Sequence, residues 1–121
     1  MVKIVVKGTK RVQSQYKHGV EEWDGLVIVE VEIIGVNTDE PDDIRYIIYK
    51  TLISRGLENV STTTRNGHVV GWGDTYVSPD LSVAELVDIL QRVMDGILEG
   101  LQNIKDITME VAIQREVSLP L

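Results

Sequence analysis

From Leu26 to Val36 the chain has an unbroken apolar face, Val27, Val29, Val31 and Ile33, with Ile28, Glu30, Glu32 and Ile34 on the other side. Period-two alternation of this kind is the signature of a strand with one face buried and one at least partly solvated. Two further stretches share the period. Val2, Ile4 and Val6 predict a short opening strand, and Ile107 to Leu119 predicts a closing one, with Ile107, Met109, Val111, Ile113, Val117 and Leu119 inward and Arg115 as the single break.

Between them lie two runs at helical spacing. Asn37-Thr38-Asp39 supplies N-cap candidates ahead of Pro41, Asp42 and Asp43, and Ile44, Ile47, Ile48 and Leu52 then form one stripe that ends before Gly56. The second helix carries Leu86, Leu90, Val93, Ile97 and Leu101, widened by Leu81, Ile89 and Leu98. Ser78-Pro79-Asp80 is a cap candidate for it, and Ser82 with Glu85 offers a capping box one turn later. Gly96 and Gly100 lie on this helix, where each costs up to about 1 kcal/mol relative to alanine unless another element packs closely against it.

The helices are separated by Val60 to Val77, which turns at Asn66-Gly67. Asn-Gly between two β-prone runs favours a two-residue type I′ turn, because both central residues need positive φ. Pairing Arg65 with His68 then assigns two faces. Val60, Thr62, Thr64, Val69, Gly71, Gly73, Thr75 and Val77 fall on the side suited to lie under helices. Ser61, Thr63, Arg65, His68, Val70, Trp72, Asp74 and Tyr76 fall on the other.

The elements in order are strand, strand, helix, hairpin, helix, strand. Without the first strand this is β-α-β-β-α-β, so the expectation is an α+β ferredoxin-like sandwich with an extra N-terminal strand and two helices on one face of an antiparallel sheet. The polar stretch Gly8 to Gly25 reads as a long loop or irregular hairpin end, and the first strand could extend an edge, cover the open face or exchange with another subunit. One domain spanning residues 1–121 is expected, with 1–18 as an N-terminal arm.

Composition adjusts this picture in two ways. The chain of 121 residues has no cysteine, so disulfides and thiolate metal sites are excluded and a reducing, cytoplasmic setting is expected. No run is long and apolar enough to cross a membrane, and the expectation is a soluble protein. The net charge of −7 is uneven, since Lys3, Lys7, Lys10, Arg11 and Lys17 crowd the first 18 residues with no acid among them. An acidic body disfavours nucleic acid as a partner, and the basic arm is expected to lie against the protein's own carboxylates.

If two helices cover one sheet face, the other would gather Arg65, His68, Trp72, Asp74 and Tyr76 with Glu30 and Glu110. These are the candidate binding residues, on a face read as acidic and dotted with aromatics. It lacks the paired aromatics and basic surround of an RNA-recognition sheet. His68, Asp74 and Glu30 or Glu110 would be the only plausible metal set, but no HxH or HxxxH spacing supports one, and no metal or other cofactor is expected. No nucleophile elbow is present, and Gly71-Trp72-Gly73 falls inside a strand rather than between strand and helix, where a phosphate loop would sit.

A second candidate set is Tyr16, His18, Glu22 and Trp23, in the loop before the alternating strand. Gly19-Val20-Glu21-Glu22-Trp23, followed by the strand from Leu26, resembles the segment between the first two strands of dihydroneopterin aldolases, and Arg45-Tyr46 is similar to a helical tyrosine of that family. The resemblance covers short pieces of the first half. It implies a ββααββ tunnelling fold, ring oligomers and metal-free cleavage of a pterin side chain, with Tyr16, His18, Glu22, Tyr46 and Glu85 near a pocket at a subunit boundary.

Two functions are therefore expected in order. The first is a non-enzymatic binding or assembly module, a homo-oligomer using its open sheet face or N-terminal arm, in the manner of an accessory or inhibitor protein. Its partner would be itself, another protein, or a small neutral or cationic ligand. The alternative is a small oligomeric enzyme acting on a pterin or nucleotide-like ligand at a subunit interface.

Overall fold

The computed structural model describes residues 2–35, 41–102 and 109–118, the last segment by its backbone. The elements are β1 (Val2–Lys17), β2 (Val20–Ile34), α1 (Pro41–Ser54), β3 (Glu58–Arg65), β4 (His68–Val77), α2 (Val83–Leu101) and β5 (Met109–Ser118). They form an α+β fold, a sheet in the order β3-β4-β2-β1-β5 with both helices against one face. Neighbouring strands run antiparallel except β1 and β5, which are parallel.

The first strand is neither an edge nor a cover. β1 lies inside the sheet, paired with β2 on one side and β5 on the other. It is also far longer than its apolar alternation suggests, because Gly8 to Gly25 is a hairpin end, and a regularly paired one, rather than a loop. β1 and β2 continue as one hairpin around His18-Gly19, with φ of 54° and 77°, almost the values at Asn66-Gly67 (51° and 77°). Both turns therefore meet the positive-φ demand of a tight hairpin.

The hairpin between the helices has the expected register, with Arg65 opposite His68 and Ser61 opposite Trp72. A bulge follows in β3 between Glu58 and Ser61, where Asn59 has φ of 53° and its side chain amide donates to Asp74 at 3.0 Å. The helices that the aldolase resemblance would join directly are thus separated by a paired hairpin.

The core is built from the alternating faces and the two stripes. Ile4, Val6, Val27, Val29, Val31 and Ile33 from the sheet meet Ile44, Ile48 and Leu52 of α1 and Leu86, Leu90, Val93, Met94, Ile97 and Leu101 of α2. The two sheet glycines in β4 are steric necessities here: a Cβ at Gly71 would stand 2.3 Å from Ile48 Cγ2, and one at Gly73 3.0 Å from Leu57 Cβ. Gly96 and Gly100 serve the helix pair in the same way, since their Cβ atoms would meet Thr51 and Ile47 at 2.6 Å. Fraying does not explain these glycines; close packing of α1 on α2 does.

α2 begins at Ser82, not at Ser78. Ser82 Oγ accepts from the Glu85 backbone N–H at 3.1 Å while the Glu85 carboxylate accepts from the Ser82 N–H at 3.2 Å, a complete capping box. Pro79 and Leu81, in the approach to the helix, instead present their carbonyls to Lys10, whose Nζ donates to them at 2.6 and 2.7 Å. α1 runs from Pro41 to Ser54 and ends ahead of Gly56, at φ 85°. The cap candidates Asn37-Thr38-Asp39 lie outside the described residues.

Candidate contact surface

With α1 and α2 on one side, the other sheet face has no helix over it among the described residues. Strand registers lay out its rows. Thr63, Val70, Glu32 and Val5 form one; Ser61, Trp72, Glu30 and Lys7 the next. Asp74, Ile28 and Thr9 follow, then Tyr76, Leu26 and Arg11. Val70 and Val5 are buried between their neighbours, Trp72 is half-buried, and Tyr76 stands largely exposed at one end.

This arrangement changes the charge of the face. Placing β1 beside β2 sets Lys3, Lys7 and Arg11 in a column next to Glu30 and Glu32, with Lys7 directly across from Glu30. The face is therefore mixed, with an acidic column beside a basic one, and the acidic reading of it is corrected. The lysines of the first 18 residues divide in consequence. Lys10 turns inward to carbonyls, Lys17 meets Glu22 at 3.7 Å and Asp24 at 3.6 Å, and Lys3, Lys7 and Arg11 make no ion pair among the described residues.

The candidate binding residues fall on this surface in separate places. His68 Nδ1 is bonded to the Glu32 carboxylate, across one diagonal of the β2–β4 pair. Arg65 is exposed at the turn, Trp72 sits beside Glu30, and Asp74 is held by Asn59. Glu110 takes the register position opposite Lys3, and its side chain is outside the described residues. His68 and Asp74 are six positions apart on one strand, roughly 20 Å, so a metal site using both does not assemble. The pairing of His68 with Glu32, missed from sequence, follows from the β2–β4 register: Glu32 stands opposite Val70, two positions along the strand from His68.

The second candidate set is also dispersed. Gln13–Lys17 and Val20–Asp24 continue past the sheet as a two-stranded ribbon of five cross-strand pairs, with no third strand beside it among the described residues. Tyr16, Glu21 and Trp23 share the face continuous with the helix side, whereas Lys17, Glu22 and Asp24 share the opposite face. His18 forms the turn. Tyr46 lies on the outer side of α1, and Glu85 is occupied by its capping box, so these residues line no common pocket. The Glu85 carboxyl is held below its ordinary value of 4.5, first by the Ser82 backbone N–H and then by the Ser82 side chain.

One open groove lies between the helices, about 470 Å³, lined by Tyr46, Lys50 and Arg55 of α1 and by Gly96, Glu99 and Gly100 of α2. Its floor is the close contact that the two glycines allow. No helix among the described residues is long and apolar enough to cross a membrane.

No protein-family model matches the chain. No curated protein sequence matches it either. A solved structure, of SMU.848 from Streptococcus mutans, aligns over 95% of this chain and 95% of that one at 12% identity and a TM-score of 0.35. A likeness of that size carries no argument about fold or function.

Proposed function

We propose that this chain is a non-enzymatic assembly module, a homo-oligomer that associates through its uncovered sheet face. The frame is read as ferredoxin-like with β1 inserted: without β1 the strand order is β3-β4-β2-β5. A cytoplasmic setting is part of the same proposal and fits the absence of cysteine.

The observation that carries the reading is the pair of adjacent charge columns with a half-buried tryptophan beside the acidic one. A two-fold interface must be complementary to itself, since each patch meets its own copy. Lys3, Lys7 and Arg11 on β1 beside Glu30 and Glu32 on β2 satisfy that condition: rotation about an axis between the strands lays each column over the opposite charge. Trp72, Ile28 and Leu26 supply apolar area beside them, and tryptophan is a frequent energetic anchor of contacts.

Sedimentation and mass measurement in solution test this. Trp72→Ala is expected to weaken association by about 2 kcal/mol, roughly thirtyfold. Lys7→Glu and Glu30→Lys should each weaken it alone, and mixing the two variants should restore it, because each then meets its complement. A monomeric protein, or an oligomer indifferent to all three changes, would refute the proposal.

A further inference from the structure

The ribbon and α1 both carry apolar surface that nothing among the described residues of one copy covers. A two-stranded hairpin with no third strand or helix against it is at best marginally stable in water. This one projects by roughly 17 Å, at about 3.4 Å for each of its pairs, and still presents Tyr16 at 78% exposure with Trp23 half-exposed on the same face. Its opposite face carries Val20 and otherwise polar groups, with Lys17 paired to Glu22 and Asp24. The ribbon is thus amphipathic, and Glu21, directly opposite Tyr16 on the aromatic face, makes no ion pair among the described residues.

α1 shows the converse arrangement. Ile44, Ile48 and Leu52 are buried, yet the outer side bears Tyr46, Tyr49 and Ile53, all exposed, at i, i+3 and i+7. A helix that is apolar on opposite sides is characteristically buried on both. Lys50, one turn beyond Tyr46, makes no ion pair among the described residues, in contrast to Arg45, which is engaged by Asp42 and Thr62.

We propose that the ribbon of one copy docks on the outer face of α1 of a second copy, with Tyr16 and Trp23 against Tyr46, Tyr49 and Ile53, and Glu21 opposite Lys50. The inference rests on the reading of the chain as self-assembling and adds a second contact to the sheet face. Charge and apolar pattern agree on this occupant: an aromatic pair with one unpaired acid meets an aromatic pair with one unpaired base. Within one copy the exposure of Tyr16 and Tyr46 shows that the two surfaces do not meet. A reciprocal exchange of ribbons engages eight partly exposed aromatic side chains and so buries on the order of 1,000 Å², in the range of small interfaces.

The cysteine-free chain makes a clean test. Glu21→Cys and Lys50→Cys are prepared as separate full-length variants, one of them tagged, then mixed and mildly oxidised at a concentration where the protein is associated. A mixed disulfide is expected, well above that from Glu21→Cys mixed with Asp88→Cys. Tyr16→Ala with Trp23→Ala should abolish it and weaken association at least about tenfold, with the circular dichroism spectrum unchanged. A mixed disulfide no stronger than the control overturns the ribbon contact, and if association still depends on Trp72 the sheet-face reading survives that result. A disulfide within single copies of the doubly substituted Glu21→Cys, Lys50→Cys chain also overturns it. Crosslinking that persists in Trp72→Ala supports a ribbon contact that forms independently of the sheet face.

Discussion

Replacing Gly71 with alanine sets two well-defined effects against each other. By strand propensity alone the change is favourable, because glycine in an element interior costs roughly 0.5–1 kcal/mol relative to alanine. The structure opposes it: the new Cβ would lie 2.3 Å from Ile48 Cγ2, whereas carbon atoms rest at about 3.5–4.0 Å. A gap of more than 1 Å must open, and it cannot come from a rotamer change, since β-branched residues in helices hold essentially one χ1. α1 has to lift from β4, and overpacking of this kind costs about 1–3 kcal/mol.

The expected net result is destabilisation by about 1–2 kcal/mol. Urea unfolding reads this as a lower midpoint at unchanged slope. The decisive comparison is a cycle with Ile48→Ala. That change alone costs roughly 2–5 kcal/mol by leaving a cavity, but it removes the clashing methyl and leaves Thr62 Cγ2 at 3.2 Å and Ile48 Cβ at 3.4 Å from the new atom. Gly71→Ala should then be neutral or favourable, a coupling of at least about 1 kcal/mol. A Gly71→Ala protein as stable as the wild type, or an equal penalty in both backgrounds, would refute the steric argument.

Two other expectations follow from the approach to α2. Lys10→Met keeps the stem but removes both bonds from Nζ, leaving the Pro79 and Leu81 carbonyls without that donor; a loss of roughly 2–4 kcal/mol in thermal or urea unfolding is expected, and a neutral result would show that the carbonyls find water instead. Glu85 titrates lower in the folded chain than its ordinary value, so its stabilising effect is present above the unfolded pKa near 4.5 and is lost as pH falls through the folded one. Ser82→Ala should lower the melting temperature at neutral pH and shrink the difference from wild type as pH drops below that range; a difference constant with pH would contradict the capping box.

Legibility from sequence followed what each residue has to touch. The Asn66-Gly67 hairpin and the stripes of both helices were readable because turn chemistry and burial act on the same residues. The first hairpin carries an equally good turn, His18-Gly19, but its flanks offered no alternation to frame it. Gly8 replaces an apolar residue where Leu86 and Leu90 of α2 press down, and Lys10 replaces another where two carbonyls need a donor. Further out the ribbon has no core side at all, so the apolar period that identifies a strand is absent. That single omission hid the place of β1, and with it the basic column that gives the candidate face its mixed charge. Trp72 and Tyr76 were legible as neighbours on one face; their relation to Lys7 and Arg11 was not, because it depends on pairing between distant segments.

The seat of β1 between β2 and β5 also sets an order of events during synthesis. β1 is joined in parallel by β5, about a hundred residues later along the chain, and contacts of such separation are slow to form. Until β5 emerges from the ribosome, β1 offers a long row of unpaired N–H and C=O groups to any extended chain nearby. The nascent protein therefore passes through a stage in which β1 is an open edge, when a neighbouring nascent copy could occupy the place that its own β5 is still to fill.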